Sequence, residues 1–224
     1  FIGIEENPLT CQIAKIGIWF TGLIHQEAID KLSSKSPKLI VTVDDVRIIN
    51  EDPIRVNWRD ACGDVNNLFI VCAPTFKGAR KLNIIEKNDV SKVFSGLTKF
   101  GNLDYSACWL YLACKLIKDS NGGIGFVTTN SLTQGEQVGI LWPLIYDCGD
   151  QISFAHRSFK WKNSIQGNTG VTVVIIGLRP QKVETKMTIY SANKTEIVPS
   201  IGPYLTRSKV IVYKERSPLS QLPK

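Results

Sequence analysis

Four short stretches hold residues that could do chemistry. Glu5 closes the apolar Phe1-Ile2-Gly3-Ile4 stretch and stands just before Asn7-Pro8, a side-chain cap with proline at the first helical position. A carboxylate leaving a strand for a helix is how dinucleotide and nucleoside folds hold ribose hydroxyls, because its oxygens accept two hydrogen bonds in fixed geometry. A solvated helix cap would place the same residue there. Ala73-Pro74-Thr75-Phe76 follows the apolar run Leu68-Phe69-Ile70-Val71-Cys72. A proline turn there could aim a backbone carbonyl and an aromatic face into a pocket, or could simply end a strand with Phe76 packed inward. Thr129 to Glu136 is a polar loop whose amides and hydroxyls could bind a polar ligand or only cap the next helix. His156-Arg157-Ser158-Phe159-Lys160-Trp161-Lys162 interleaves cations with aromatics, so that phosphate contact and base stacking become available together.

Charge is divided unevenly. Residues 1–150 hold 15 Lys/Arg against 17 Asp/Glu, whereas residues 151–224 hold 12 against 3. The basic part attracts polyanions, which makes nucleic acid the leading partner; a solvated basic surface with Phe159 and Trp161 in the core is the alternative. His25 and His156 lie far apart, and the six cysteines include no Cys-x-x-Cys pair. These spacings predict no metal site and thiols that act as small core hydrophobes in a reducing compartment, hence a cytoplasmic location.

The elements that must position these residues can be read from periodicity. Strands are expected at Phe1–Glu5, Leu39–Val43, a buried Leu68–Cys72, Ile124–Thr128, Ile152–Ala155 and Val171–Leu178. Helices are expected from Pro8 to about Lys31, over Tyr105–Lys118 with Cys108, Leu112 and Leu116 facing inward, and over Gln134–Tyr146. Lys77 to Phe100, which mixes charges with Gly78 and Gly96, reads as loop or an irregular small helix. This alternation predicts an α/β fold with a mainly parallel sheet and ligand sites at the carboxyl ends of the strands. The composition, 43% hydrophobic and 21% charged over 224 residues, is that of a globular domain and excludes disorder and coiled coil. The longest apolar stretch, Ile16 to Ile24, is far shorter than the roughly 20 residues of a membrane span. The first residue is Phe1, without a signal-peptide pattern after it, so a fragment of a longer protein is expected.

The ordered set Phe1-Ile2-Gly3-Ile4-Glu5-Glu6, then Phe126 to Gln137 with Leu141-Trp142-Pro143, then Phe154 to Trp161, resembles class I S-adenosylmethionine-dependent DNA adenine-N6 methyltransferases of the large restriction-modification type. Coverage is nearly the whole chain, and Asn130-Ser131-Leu132-Thr133-Gln134-Gly135-Glu136-Gln137 is the most specific element. The resemblance implies a Rossmann-like methyltransferase sheet with helices on both faces, lacking its first strand and the glycine-rich cofactor loop, plus a short basic carboxyl-terminal extension. Residues 1–180 would be a partial catalytic core. Residues 181–224 would begin the target-recognition region or form a linker, with Pro203-Tyr204-Leu205 and Ser217-Pro218-Leu219-Ser220 as its start.

By the same resemblance Glu5 would hold the ribose of S-adenosylmethionine and Asp52 would lie near its adenine. Pro74 would offer its carbonyl to the target amine, and Phe76 would stack on the extruded adenine. Arg157, Lys160, Trp161 and Lys162 would hold double-stranded DNA. The family's catalytic sequence is Asn-Pro-Pro-Phe or Tyr; here Ala73 stands at the asparagine position, and Asn66 and Asn67 are too far along the strand to replace it. Two readings result. One is a site-specific adenine methyltransferase, with a second chain possible as the source of the absent amino-terminal segment. The other is a catalytically inactive DNA-binding relative or gene fragment. Half of a nicotinamide-dependent Rossmann enzyme is a third reading, supported only by Glu5, and the basic tail opposes it.

Overall fold

A computed structural model describes residues 1–32, 46–161, 170–184 and 186–208. The chain divides after Gly63 into two compact units.

In the first unit, Asn7-Pro8 does start a helix. Asn7 Oδ1 accepts the backbone N–H groups of Leu9 at 2.9 Å and Thr10 at 3.2 Å, two of the donors that a helix start leaves without partners. The helix, α1, spans Pro8–Leu32 between strands β1 (Ile2–Ile4) and β2 (Arg47–Ile49). These strands pair in parallel, Ile2 opposite Arg47 and Ile4 opposite Ile49. The expected Leu39–Val43 strand lies outside the described residues, and β2, at three residues, is too short to show a period in sequence. A short helix, α2 (Trp58–Cys62), closes the unit; Asn57 caps it by accepting from the N–H groups of Arg59 and Asp60.

The second unit is built on β3 (Phe69–Cys72), β4 (Gly123–Thr129), β5 (Asp150–Lys160), β6 (Thr172–Pro180), β7 (Met187–Ser191) and β8 (Lys194–Val198), with helices α3 (Ile84–Val93), α4 (Ala107–Ile117) and α5 (Gly135–Asp147). Strand order is β3-β4-β6-β5-β7-β8. The sheet is mixed, a correction to the mainly parallel expectation: β3 is parallel to β4 and β5 to β7, but β6 is antiparallel to both β4 and β5, and β8 to β7. Connection length explains the last of these pairs. A parallel return needs a crossover of about a dozen residues or more, usually helical, and only Ala192-Asn193 separate β7 from β8. The β7–β8 hairpin is absent from the expected elements, and it carries the sheet past residue 180.

Three other expectations change. Strand β3 is not buried: Phe69 is 62% exposed and Val71 88% exposed, and β3 pairs only with β4 among the described residues. The Arg179 guanidinium lies over the Phe69 ring, 5.5 Å from its centroid. Lys77–Phe100 holds a regular helix, α3, started by a capping box in which Asn83 Oδ1 accepts from Glu86 N–H and Glu86 Oε2 accepts from Asn83 N–H. Strand β5 has eleven residues in place of the expected four, since irregularities at Ile152/Phe154 and His156/Phe159 break its alternation.

The core lies where α4 and α5 meet β4 and β5. Ile124, Phe126 and Thr128 of β4 are buried, and Thr128 Oγ1 lies 3.1 Å from Ser106 Oγ at the start of α4. Leu112 of the expected α4 stripe is only half-buried, whereas Ala107, Leu110, Ala113, Cys114 and Ile117 are buried too, so this helix is covered nearly all round. In α5, Val138, Leu141 and Ile145 are buried as their spacing predicts. All six cysteines are free thiols. Among the described residues no helix is long and apolar enough to cross a membrane, and no group of three or more His, Cys, Asp or Glu could hold a metal ion.

Candidate functional site

In the first unit the carboxyl ends of β1 and β2 come together. Glu5 N–H donates to Ile49 O at 3.0 Å, extending the ladder by one residue, and Asn50, just past β2, donates through Nδ2 to the carbonyls of both Glu5 and Glu6 at 3.0 and 2.8 Å. The Glu5 backbone is thereby fixed. Its side chain turns back on the helix start, where Oε1 accepts Asn7 N–H at 2.8 Å, and its second oxygen accepts nothing among the described residues. Asp52, two residues past Asn50, is used locally: Oδ1 accepts Ile54 N–H at 3.0 Å and Oδ2 pairs with Arg55 Nε at 3.3 Å. Its carboxylate closes its own turn.

In the second unit the turn after β3 places Ala73 and Thr75 at the surface, buries Pro74 and half-buries Phe76. Lys77, the residue after Phe76, is held twice. Its carbonyl accepts Tyr105 N–H at 2.9 Å, and its Nζ lies 2.7 Å from both carboxylate oxygens of Glu86. Asn66 lies at the other end of the strand, where its carbonyl accepts Asn121 N–H and Ser120 Oγ–H, so it is not part of the turn. The Cys72 thiol, just before the turn, is pushed up to about 12 by burial and is neutral near pH 7.

The register joins this turn to the basic, aromatic stretch. Thr129, the last residue of β4, pairs with Val173 of β6, and Val173 pairs on its other side with Phe159 of β5. Since β5 runs the same way as β3 and β4, its carboxyl end lies on the same edge of the sheet as Ala73–Phe76. Arg157 and Lys160 are exposed there and Trp161 is 38% exposed; Lys162 lies outside the described residues. Arg157 is partly committed, since its Nε donates to Leu205 O at 3.3 Å. His156 Nδ1 lies 2.7 Å from Arg157 O, which puts a proton on that nitrogen, and the His156 ring packs edge-on against Phe159 with centroids 4.8 Å apart. The alternative of a fully packed Phe159 and Trp161 is not what the fold shows: Phe159 is half-buried and Trp161 exposed.

The MmeI DNA-methyltransferase domain family matches residues 1–191. The chain belongs to this family. It is 34% identical over 230 residues to DNA methyltransferase A of Bacillus subtilis (strain 168), a match that takes in all of this chain and 26% of that protein. It is also similar in structure to the type IIL restriction-modification enzyme MmeI in complex with DNA, with a TM-score of 0.82 and 32% identity over 99% of this chain and 30% of that one. The chain therefore spans between a quarter and a third of the length of these relatives.

For a domain of the MmeI methyltransferase family, the residues that sequence reasoning missed are those that hold others in place. Asn50 ties β2 to Glu5, Glu86 ties α3 to Lys77, and Asp104 and Gln137 meet beside Thr129. The Asn83-x-x-Glu86 pattern was a readable signal for the second. Nothing local marks the first or third, because their partners stand 45 and 33 residues away in the chain.

Proposed function

We propose that the polypeptide carrying this chain transfers a methyl group from S-adenosylmethionine to the N6 amine of adenine in double-stranded DNA, as the modification activity of a restriction-modification enzyme in the cytoplasm. The observation that carries the reading is the Thr129–Val173–Phe159 row, which sets the Arg157–Trp161 stretch on the edge that ends in Ala73–Phe76. Family membership supports the reaction class. When bound, S-adenosylmethionine supplies an electrophilic methyl group on a sulfonium.

The Glu5 side chain fits a ribose, because one carboxylate oxygen is held by Asn7 and the other stays open for hydroxyl donors. Asp52 fits less directly, and its part is to fix the loop beside Glu5. The Pro74 carbonyl would accept a hydrogen bond from the target amine and orient its lone pair, while Phe76 would stack on the extruded base. Arg157, Lys160 and Trp161, with Lys162, hold phosphates and bases.

Ala73 favours a second reading, a DNA-binding relative without turnover, because one acceptor for the amine is missing. Labelled methyl transfer from S-adenosylmethionine onto adenine-containing duplex, measured beside salt-dependent DNA binding, separates the two. Methyl incorporation lost in Glu5→Ala supports transfer. Binding without incorporation supports the second reading, and neither one overturns both.

A further inference from the structure

The string from Thr129 to Gln137 is the most distinctive in the sequence, yet methyl transfer as proposed assigns it no task. Its two ends converge on one buried residue, Asp104, one at its carboxylate and the other at its backbone N–H. Thr129 Oγ1 donates to Asp104 Oδ2 at 3.2 Å, and Gln137 Oε1 accepts the Asp104 backbone N–H at 3.0 Å. Asp104 is 7% exposed. The next residue, Tyr105, donates its N–H to Lys77 O, one residue past Phe76, and its hydroxyl to Asp89 Oδ2 at 3.3 Å. A Cβ placed on Gly78 would lie 3.5 Å from Asp104 Oδ1 and meet nothing else within 4 Å, so the 77–78 backbone passes directly by this carboxylate.

Register sets the level of these contacts. Cys72, the last residue of β3, pairs with Phe126; three residues on in the chain are Thr75, in the turn, and Thr129, which ends β4. The Tyr105–Lys77 hydrogen bond and the approach of Gly78 to Asp104 put Thr129 and Asp104 beside the segment that follows the turn. A buried carboxylate is costly to keep unless its hydrogen bonds are made; here Thr129, at the end of β4, donates to it, while Gln137 of α5 holds the Asp104 backbone.

We infer that Asp104, held between Thr129 and Gln137, is a positioning residue for Phe76 and the Pro74 carbonyl. It acts through the Tyr105–Lys77 hydrogen bond and touches no substrate. The inference rests on the proposed role of Pro74 and Phe76 in meeting the target base.

The test uses the full polypeptide that carries these residues, labelled with 4-fluorophenylalanine, the Phe76 fluorine signal being assigned with Phe76→Leu and that of core Phe126 serving as reference. Thr129→Val and Gln137→Met remove one hydrogen bond each, and Thr129→Ser keeps the hydroxyl. Expected are a shifted or broadened Phe76 signal in the first two variants, its recovery in Thr129→Ser and an unmoved Phe126 signal. The kcat of methyl transfer falls about tenfold while KM for DNA stays within about twofold. An unchanged Phe76 signal in both variants overturns the inference, as does a Phe126 signal that moves equally. Absence of methyl transfer in the parent protein overturns the proposed function instead, and the Phe76 signal still decides the positioning role.

Discussion

Lys77 Nζ stands 2.7 Å from both oxygens of Glu86, whose Oε2 also accepts the Asn83 N–H that opens α3. One carboxylate thus caps a helix and fixes the residue after Phe76. The Lys77 hydrogen bond, then that of Asn83, hold the Glu86 carboxyl below its ordinary range. A depressed carboxylate contributes stability that is present above its unfolded value of 4.5 and lost as pH falls through the folded one.

Glu86→Gln keeps the side chain's shape and removes its charge. Loss of roughly 1 kcal/mol is expected at pH 7, the usual scale for a helix cap, and a smaller one at pH 3, closer to where the depressed parent carboxyl takes up its own proton. Urea denaturation of the two proteins at both pH values checks it. An equal loss at both would assign the effect to packing instead.

At the turn, Ala73→Asn with Thr75→Pro restores the family's four-residue pattern. Thr75 N–H makes no hydrogen bond among the described residues, so proline there removes none. If Pro74 orients the target amine, the added asparagine acceptor raises labelled methyl incorporation on adenine-containing duplex by about 10²-fold, the scale of one positioned transition-state hydrogen bond. No gain would count against a catalytic role for the turn.

Lys160 and Arg157 differ in how free they are. Lys160 is exposed near the end of β5, whereas Arg157 spends its Nε on Leu205 O. Replacing Lys160 with Gln is expected to reduce the slope of log K against log salt for duplex binding by about 0.9, one phosphate contact. Arg157→Gln should change the slope less and lower the melting temperature as well. Fluorescence anisotropy over a salt series resolves the two; slopes unchanged from the parent would remove both from the DNA contact.

Sequence reading reached those features whose cause is local. Asn7-Pro8 marks the start of α1 because a cap and a fixed φ act within one turn, and Val138, Leu141 and Ile145 mark α5 because burial recurs with the helical period. It did not reach the direction of β6, the β7–β8 hairpin or the exposure of Val71. Each depends on which strand lies alongside, and an apolar run is the same in sequence whether one face or two are covered. The site shows the same division. Glu5 and the Pro74 turn could be chosen from residue types at strand ends, whereas Asn50 and Asp104 are defined by partners far off in the chain.

Asp150 opens β5, at the end of the sheet opposite the turn, and is fully buried. Neither carboxylate oxygen meets an N–H or O–H donor among the described residues. Burial pushes the carboxyl up from 3.8 to about 6, against a smaller downward pull from the Cys114 thiol. A raised folded pKa means that the native state keeps a proton that the unfolded chain releases. The contribution of Asp150 to stability is therefore highest below pH 4, declines between about 4 and 6, and stays lower by about 3 kcal/mol above that. Asp150→Asn cannot ionise and loses this dependence. Its unfolding free energy should fall somewhat below that of the parent at pH 4, because the amide N–H groups are buried with few acceptors, and exceed it at pH 7.5 by about 2 kcal/mol. Denaturant titrations at the two pH values decide it. A variant less stable than the parent at pH 7.5 would show that the carboxylate is held by a donor and that its burial is not the dominant effect.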